Sequence, residues 1–214
     1  MADKLKIDIV SDVVCPWCTI GYKCLEKAIA ELGVQDQIEI EWQPFELNPN
    51  MPVEGQNVKE HITEKYGSTP EQQKESQQHM TEVGEELGFK FDYFDDMRMV
   101  NTFNAHILLD YAKDFGKQTE LKMRLTTAFF SERKDVSNKD ILKQALLDVG
   151  LNADEALARL DNEEVRYDIR NKQGYWKNMG VNSVPTIVFN RKSAVTGAQP
   201  VDVFKEVLSE LITE

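Results

Sequence analysis

Two cysteines with two residues between them, Cys15-Pro16-Trp17-Cys18, are the side chains of this sequence whose types and spacing point most directly to chemistry. They follow an apolar stretch (Ile7, Ile9, Val10) and open a helical pattern (Ile20, Cys24, Leu25, Ala28, Ile29, Leu32). A strand that feeds a helix puts Cys15 at the helix N-terminus, where unpaired backbone N–H groups and the positive end of the helix dipole favour a thiolate. Pro16 suits the first helical position, where a missing N–H costs nothing. Three residues of helix make a little under one turn, so Cys18 returns beneath Cys15 at a separation a disulfide spans. The pair reads as a reversible dithiol/disulfide centre.

Two other readings compete for the same residues. A CxxC can be half of a zinc or iron–sulfur site, but such sites call for a second cysteine pair or well-spaced histidines. Here only Cys24 remains, with His61, His79 and His106 scattered along the chain, so no metal site is expected. Two unreactive core cysteines are the other alternative, since free Cys is often buried. Pro and Trp between the pair, at a strand-to-helix junction, favour redox chemistry.

The elements that must hold this centre come in a recognisable order. Lys6 to Val10 reads as a first strand, Pro16 to Leu32 as a helix stopped by Gly33, and Ile38 to Phe45 as a second strand ended by Pro44. Strand, helix, strand is a βαβ unit with parallel pairing and a right-handed crossover. After the turn-rich Glu46 to Pro52, strand-like alternation largely stops until Val184. Apolar stripes at helical spacing replace it. They predict helices from Thr69-Pro70 to Leu87, around Val100 to Tyr111, around Leu121 to Phe129, from Ile141 to Val149, from Asp154 to Leu160 and from Glu163 to Met179. Two short strands, Thr186 to Asn190 and Ala194 to Gly197, and a helix from about Pro200 close the chain. The expected class is α/β, with residues 1–55 and 165–214 forming one domain and 56–164 an all-helical insertion domain.

Composition narrows the partners. The 214 residues are 41% hydrophobic and 29% charged, a globular balance. A formal net charge of -12 and no basic cluster argue against a nucleic-acid backbone as partner. Charges interleave the first apolar run, Lys4 to Val10, so it cannot serve as the apolar core of a signal peptide, and no stretch approaches transmembrane length. The expectation is a cytoplasmic protein with no membrane partner. With three cysteines in that reducing setting, a CxxC is catalytic before it is structural.

Several segments carry a family resemblance: Asp12 to Gly21 (DVVCPWCTIG), Trp42 to Pro52 (WQPFELNPNMP), Asn101 to His106 (NTFNAH), Ala128 to Phe130, Val184 to Thr186, and Gly197 to Pro200 (GAQP). In this order they resemble the DsbA-type oxidoreductases of thioredoxin-like fold, and within them the cytoplasmic FrnE-like branch. The resemblance implies that Cys15 is the nucleophilic thiol and Cys18 the buried resolving one. It implies that Val184-Pro185 is a cis-proline loop facing the cysteines, where an extended substrate chain would align by strand addition. Pro16 and Trp17 would border that substrate. Many DsbA relatives carry His where Trp17 stands; an indole offers its lone N–H away from the sulfur, so a less oxidising centre is expected.

Other residues carry weaker signals. Asp12 either approaches the sulfurs and disfavours the thiolate, or is a solvated loop residue. His106 either borders the active site from the helical segment or is a core histidine. Asn48, Asn50 and Gln199 match family segments and could line the cleft, although turn chemistry explains such residues as well. Cys24 reads as packing, and Tyr175 and Trp176 as helix-face packing or a rim.

Three functions from different classes follow. The first is a thiol–disulfide oxidoreductase acting on protein or small-molecule disulfides, with no cofactor beyond its own sulfurs and glutathione as an open co-substrate. The second is a glutathione-dependent transferase or isomerase of the kappa and hydroxychromene-carboxylate type, which the chain resembles less because that branch typically has Ser without a partner cysteine. The third is a holdase whose helices present an apolar cleft. The direction of electron flow and the oligomeric state are not written in the residues.

Overall fold

The first strand, β1 (Leu5–Ser11), is nearly continuous in burial and runs through the middle of a four-stranded sheet. The structure is a computed structural model that describes residues 4–213. Helix α1 (Pro16–Leu32) follows, capped at its far end by Gly33 in the left-handed conformation (φ 67°). A single 3₁₀ turn leads into β2 (Ile38–Pro44), which pairs parallel to β1 from Leu5 opposite Ile38 to Ser11 opposite Pro44. This is the βαβ unit expected from the hydrophobic pattern.

Between the halves of the sheet the chain is helical. A two-residue strand β3 (Gln56–Asn57) opens α2 (Val58–Tyr66) and α3 (Pro70–Glu86), and pairs with β4 (Arg98–Met99). Then come α4 (Phe103–Lys113), α5 (Gln118–Phe130), α6 (Lys139–Asp148), α7 (Ala153–Ala158) and α8 (Glu163–Asn178). Local chemistry starts several of them: Thr69 and Gln72 form a reciprocal capping box at α3, and Asn57, Asn138, Asn152 and Asn162 accept N–H groups at α2, α6, α7 and α8. α2 and the β3–β4 pair are additions to the elements expected from the sequence. No helix of the described residues is long and apolar enough to cross a membrane.

The sheet is completed by β5 (Thr186–Phe189), antiparallel to β1, and β6 (Ser193–Thr196), antiparallel to β5, giving the order β2-β1-β5-β6. The last helix, α9 (Val201–Thr213), packs against α1. Alternation along β1 sends its side chains to two sides. Ile7 and Ile9 join the large apolar cluster with Leu25 of α1 and Phe204 and Leu208 of α9. Val10 meets Val188, Phe45 and Trp176 of α8 in a smaller cluster on the other side. Helices thus cover both faces, and the end of β1 is held where α1 begins. The mixed α/β plan is a thioredoxin-like fold carrying a long helical segment.

β2 is an edge strand, and α5 closes it. The Gln118 side chain accepts the Trp42 N–H at 2.8 Å and donates to the Trp42 carbonyl at 3.0 Å, so an amide side chain continues the ladder that the sheet leaves open. The Trp42 indole N–H donates to Thr119 Oγ1 at 2.9 Å.

Candidate active site at the head of the first helix

Cys15 is the N-cap of α1, with extended backbone (φ -95°, ψ 111°) and Pro16 next in the first turn. Its sulfur accepts the Cys18 backbone N–H at 3.3 Å, so the helix start supplies a donor to the sulfur where negative charge would develop. Cys15 is 4% exposed and Cys18 1% exposed, and both are free thiols. Burial pushes the Cys18 thiol well above the ordinary cysteine range; the Cys15 sulfur adds to this, and Lys122 pulls the other way.

The second wall is the loop before β5. The Val184–Pro185 peptide bond is cis. The Cys15 thiol donates to the Val184 carbonyl at 3.9 Å, and the Gly197 N–H holds the Pro185 carbonyl at 2.8 Å. Gly21, one turn into α1, lets the helix lie on this loop: a Cβ there would stand 3.2 Å from Pro185 Cγ and 3.4 Å from the Ala198 backbone. The loop and the dithiol are therefore packed together from opposite ends of the chain.

Behind the sulfurs lies Asp12, buried and fully engaged. Its Oδ1 accepts the Val13 N–H at 2.7 Å and lies 3.3 Å from His106 Nε2, and its Oδ2 accepts the Leu47 N–H at 2.8 Å. The solvated-loop reading of Asp12 is thus incorrect, because three parts of the chain converge on its carboxylate. Burial alone would raise that carboxyl; the His106 ring, the Leu47 N–H and the Lys122 ammonium outweigh it and hold the group below the usual carboxylate range. His106 is both a core residue and a neighbour of the site, acting through Asp12.

The rim is formed by α3 and the segment after it. Trp17 is 38% exposed, and its ring stands 6.1 Å from that of His79. The Tyr93 hydroxyl donates to the Met80 sulfur at 3.5 Å, and burial, with the Cys15 sulfur second, pushes its phenol up. Asn48 is tied to α2: its Oδ1 takes His61 Nε2 at 3.0 Å and Lys65 Nζ at 2.7 Å. Gln199 donates to the Thr196 carbonyl at 3.0 Å within its own turn. Cys24 is buried in the main core, where burial raises its thiol, and Trp176 is buried beside exposed Tyr175.

Lys122 and Tyr93 were not singled out by sequence reasoning. Lys122 had a signal: Gln118, Lys122 and Thr126 recur every four residues between apolar Leu121, Leu125 and Phe129, so a polar stripe runs along a face of α5 that is buried.

With this geometry in place, comparison decides the family. The DSBA-like thioredoxin domain matches residues 6–209. The chain belongs to that family. It is 27% identical over 206 residues to the uncharacterized protein YwbO of Bacillus subtilis (strain 168), covering 95% of this chain and 96% of that one. Among solved structures it is similar to SCO1869 from Streptomyces coelicolor, a probable DsbA oxidoreductase, with a TM-score of 0.91 and 29% identity over 98% of this chain and 91% of the other. It shares its fold with the cytosolic disulfide reductase DsbM from Pseudomonas aeruginosa, solved with GSH, at a TM-score of 0.67 and 16% identity over 98% and 100% of the two chains.

Proposed function

We propose that this protein is a thiol–disulfide oxidoreductase of the cytoplasmic, FrnE-like kind, with Cys15 as nucleophile and Cys18 as resolving thiol. The observation that carries the reading is the Cys15 sulfur itself, which accepts the Cys18 N–H at the helix start and faces the Val184 carbonyl. Deprotonated Cys15 attacks one sulfur of a substrate disulfide. The substrate S–S bond breaks, its second sulfur leaves as a thiolate and takes a proton from water, and a mixed disulfide remains on Cys15. Cys18 then loses its proton and attacks the Cys15 sulfur; the second substrate thiolate leaves, and Cys15–Cys18 becomes the disulfide. Two electrons have passed from protein to substrate, and the same steps reversed oxidise a substrate dithiol.

The substrate class is a disulfide or dithiol, protein or small molecule, presented in extended form beside Val184, with Pro16 and Trp17 at the edge. Glutathione is the thiol we propose as co-substrate for the reductive half, supported by the shared fold with the Pseudomonas reductase solved with it. A reducing compartment fits a chain whose third cysteine, Cys24, is buried in packing. Insulin reduction in the presence of glutathione tests the reading. Wild type should be active and Cys15→Ser inactive; equal activity in the two would end it.

A further inference from the structure

Of the four residues Cys15-Pro16-Trp17-Cys18, both cysteines are buried, Pro16 is half-buried and Trp17 alone is exposed. A partner whose sulfur reaches Cys15 must therefore cross the Trp17 indole as well as the Val184 loop, whose carbonyl lies 3.9 Å from the Cys15 sulfur. Trp17 does not stand alone at this place. The ring of His79 on α3 is 6.1 Å from it, centroid to centroid, tilted by 48°, and His79 is itself exposed. That separation is within the range of an aromatic pair, so the two rings, from α1 and α3, make one continuous surface beside the dithiol.

The helix that presents His79 is held firmly. Met80, the next residue, is buried and its sulfur accepts the Tyr93 hydroxyl at 3.5 Å. One turn further, Gly84 lets α3 approach Phe91 and Phe89 more closely than a Cβ would allow. α3 is thus fixed along one face while the His79 ring points to solvent. Its contact with Trp17 is the one use the described fold makes of it: neither ring nitrogen has a hydrogen-bond partner among the described residues, and neither has the Trp17 indole N–H. Glu75 and Glu82, one turn to either side of His79 on α3, oppose an acidic side chain at this surface.

We propose that His79 is a substrate-binding residue: with Trp17 it forms an aromatic platform that holds an aromatic side chain directly beside the cysteine of a polypeptide substrate. The proposal rests on the dithiol reading above and narrows its substrate class. An extended chain aligned on Val184 sends successive side chains to opposite sides, so one neighbour of the substrate cysteine is carried over the two rings. A third ring adds to the pair by edge or offset contact and excludes water from both. The helical segment thereby selects the substrate for a centre carried by the strand–helix junction.

Reduction of symmetric disulfides of short peptides, with glutathione as reductant, tests this; each peptide carries Phe, Ala or Arg directly before or directly after a single Cys. Wild type should prefer Phe over Ala by about fivefold in kcat/KM in one of the two orders, with the difference in KM. The ratio should fall to near one in His79→Ala and be kept in His79→Phe. In Cys18→Ser protein carrying the peptide on Cys15, the His79 ring protons should shift in the NMR spectrum with the Phe peptide and not with the Ala peptide. No preference in the wild type, or a preference that survives in His79→Ala, overturns the proposal; loss of rate on both peptides with the ratio kept is the second of these results and makes the histidine structural. A preference for Arg over Phe also overturns it, by making the surface a cation site. A wild type inactive on every disulfide would instead overturn the dithiol reading, and the platform with it.

Discussion

His106 Nε2 on α4 lies 3.3 Å from Asp12 Oδ1 in the turn that delivers Cys15, a contact across 94 positions of the chain between two buried side chains. With the Leu47 N–H on the other carboxylate oxygen, it joins the strand–helix junction, the loop after β2 and the helical segment at one group. The Cys15–Cys18 pair therefore stands on a buried anion, and that anion is part of what holds this junction together.

Asp12→Asn follows from this. An amide cannot accept at both positions, so one of the Val13 and Leu47 N–H groups loses its acceptor, and the expected loss is about 1–3 kcal/mol in urea denaturation at pH 7. The carboxyl is held below its ordinary value in the folded protein, so its stabilisation is present above the unfolded value and is lost as pH falls through the folded one. The difference between wild type and variant should narrow below about pH 4. A difference independent of pH would assign the effect to shape and not to charge.

A second acid-sensitive group lies at the edge strand. Lys113 and Lys6 both reach the Glu41 carboxylate at 2.6 Å. Burial alone would raise Glu41, but the two lysines reverse this and bring it to about 2. The folded value is depressed, so the contribution is complete above about pH 4.3 and disappears toward pH 2. Because both lysines are partly in solvent, Glu41→Gln should cost only about 1 kcal/mol at pH 7, less in high salt, and little at pH 2. Denaturation curves at the two pH values check it.

Two helical glycines should respond to the same substitution with opposite sign. A Cβ on Gly84 of α3 would fall 2.5 Å from Phe91 Cδ2 and 2.7 Å from the Phe89 carbonyl oxygen, whereas one on Gly174 of α8 meets nothing within 4 Å. Gly174→Ala should stabilise by about 0.5–1 kcal/mol through the backbone. Gly84→Ala should destabilise by about 1–3 kcal/mol, since backbone stands in the way. Thermal melts of the two variants side by side decide it, and stabilisation in both would show that α3 can lift off the 89–91 segment at no cost.

What the sequence made legible was whatever depended on periodicity and local signals. Cys15-Pro16 before an apolar stripe and Gly33 after it marked α1, and alternation marked β2. α2 was hidden because only Val58 of its nine residues is buried, leaving no stripe to read. The β3–β4 pair joins two-residue strands from distant parts of the chain, too short to show any period. The two thiols were legible from type and spacing; their electrostatic surroundings were not. Asp12 and Lys122 belong to residue types that ordinarily face water, and only the packing of α4 and α5 against the junction buries them. The i, i+4, i+8 run of Gln118, Lys122 and Thr126 was visible, but whether a polar stripe faces water or the core is decided by tertiary contacts.

The central claim is that Cys15 attacks and Cys18 resolves, and trapping the intermediate tests it most directly. Cys18→Ser should be incubated with oxidised glutathione and its intact mass and peptide map recorded. One stable glutathione adduct is expected, located on Cys15, while wild type under the same conditions passes on to the Cys15–Cys18 disulfide and releases the glutathione. An adduct on Cys18 in the Cys15→Ser variant at the same rate, or no adduct on Cys15 in Cys18→Ser, would contradict the account.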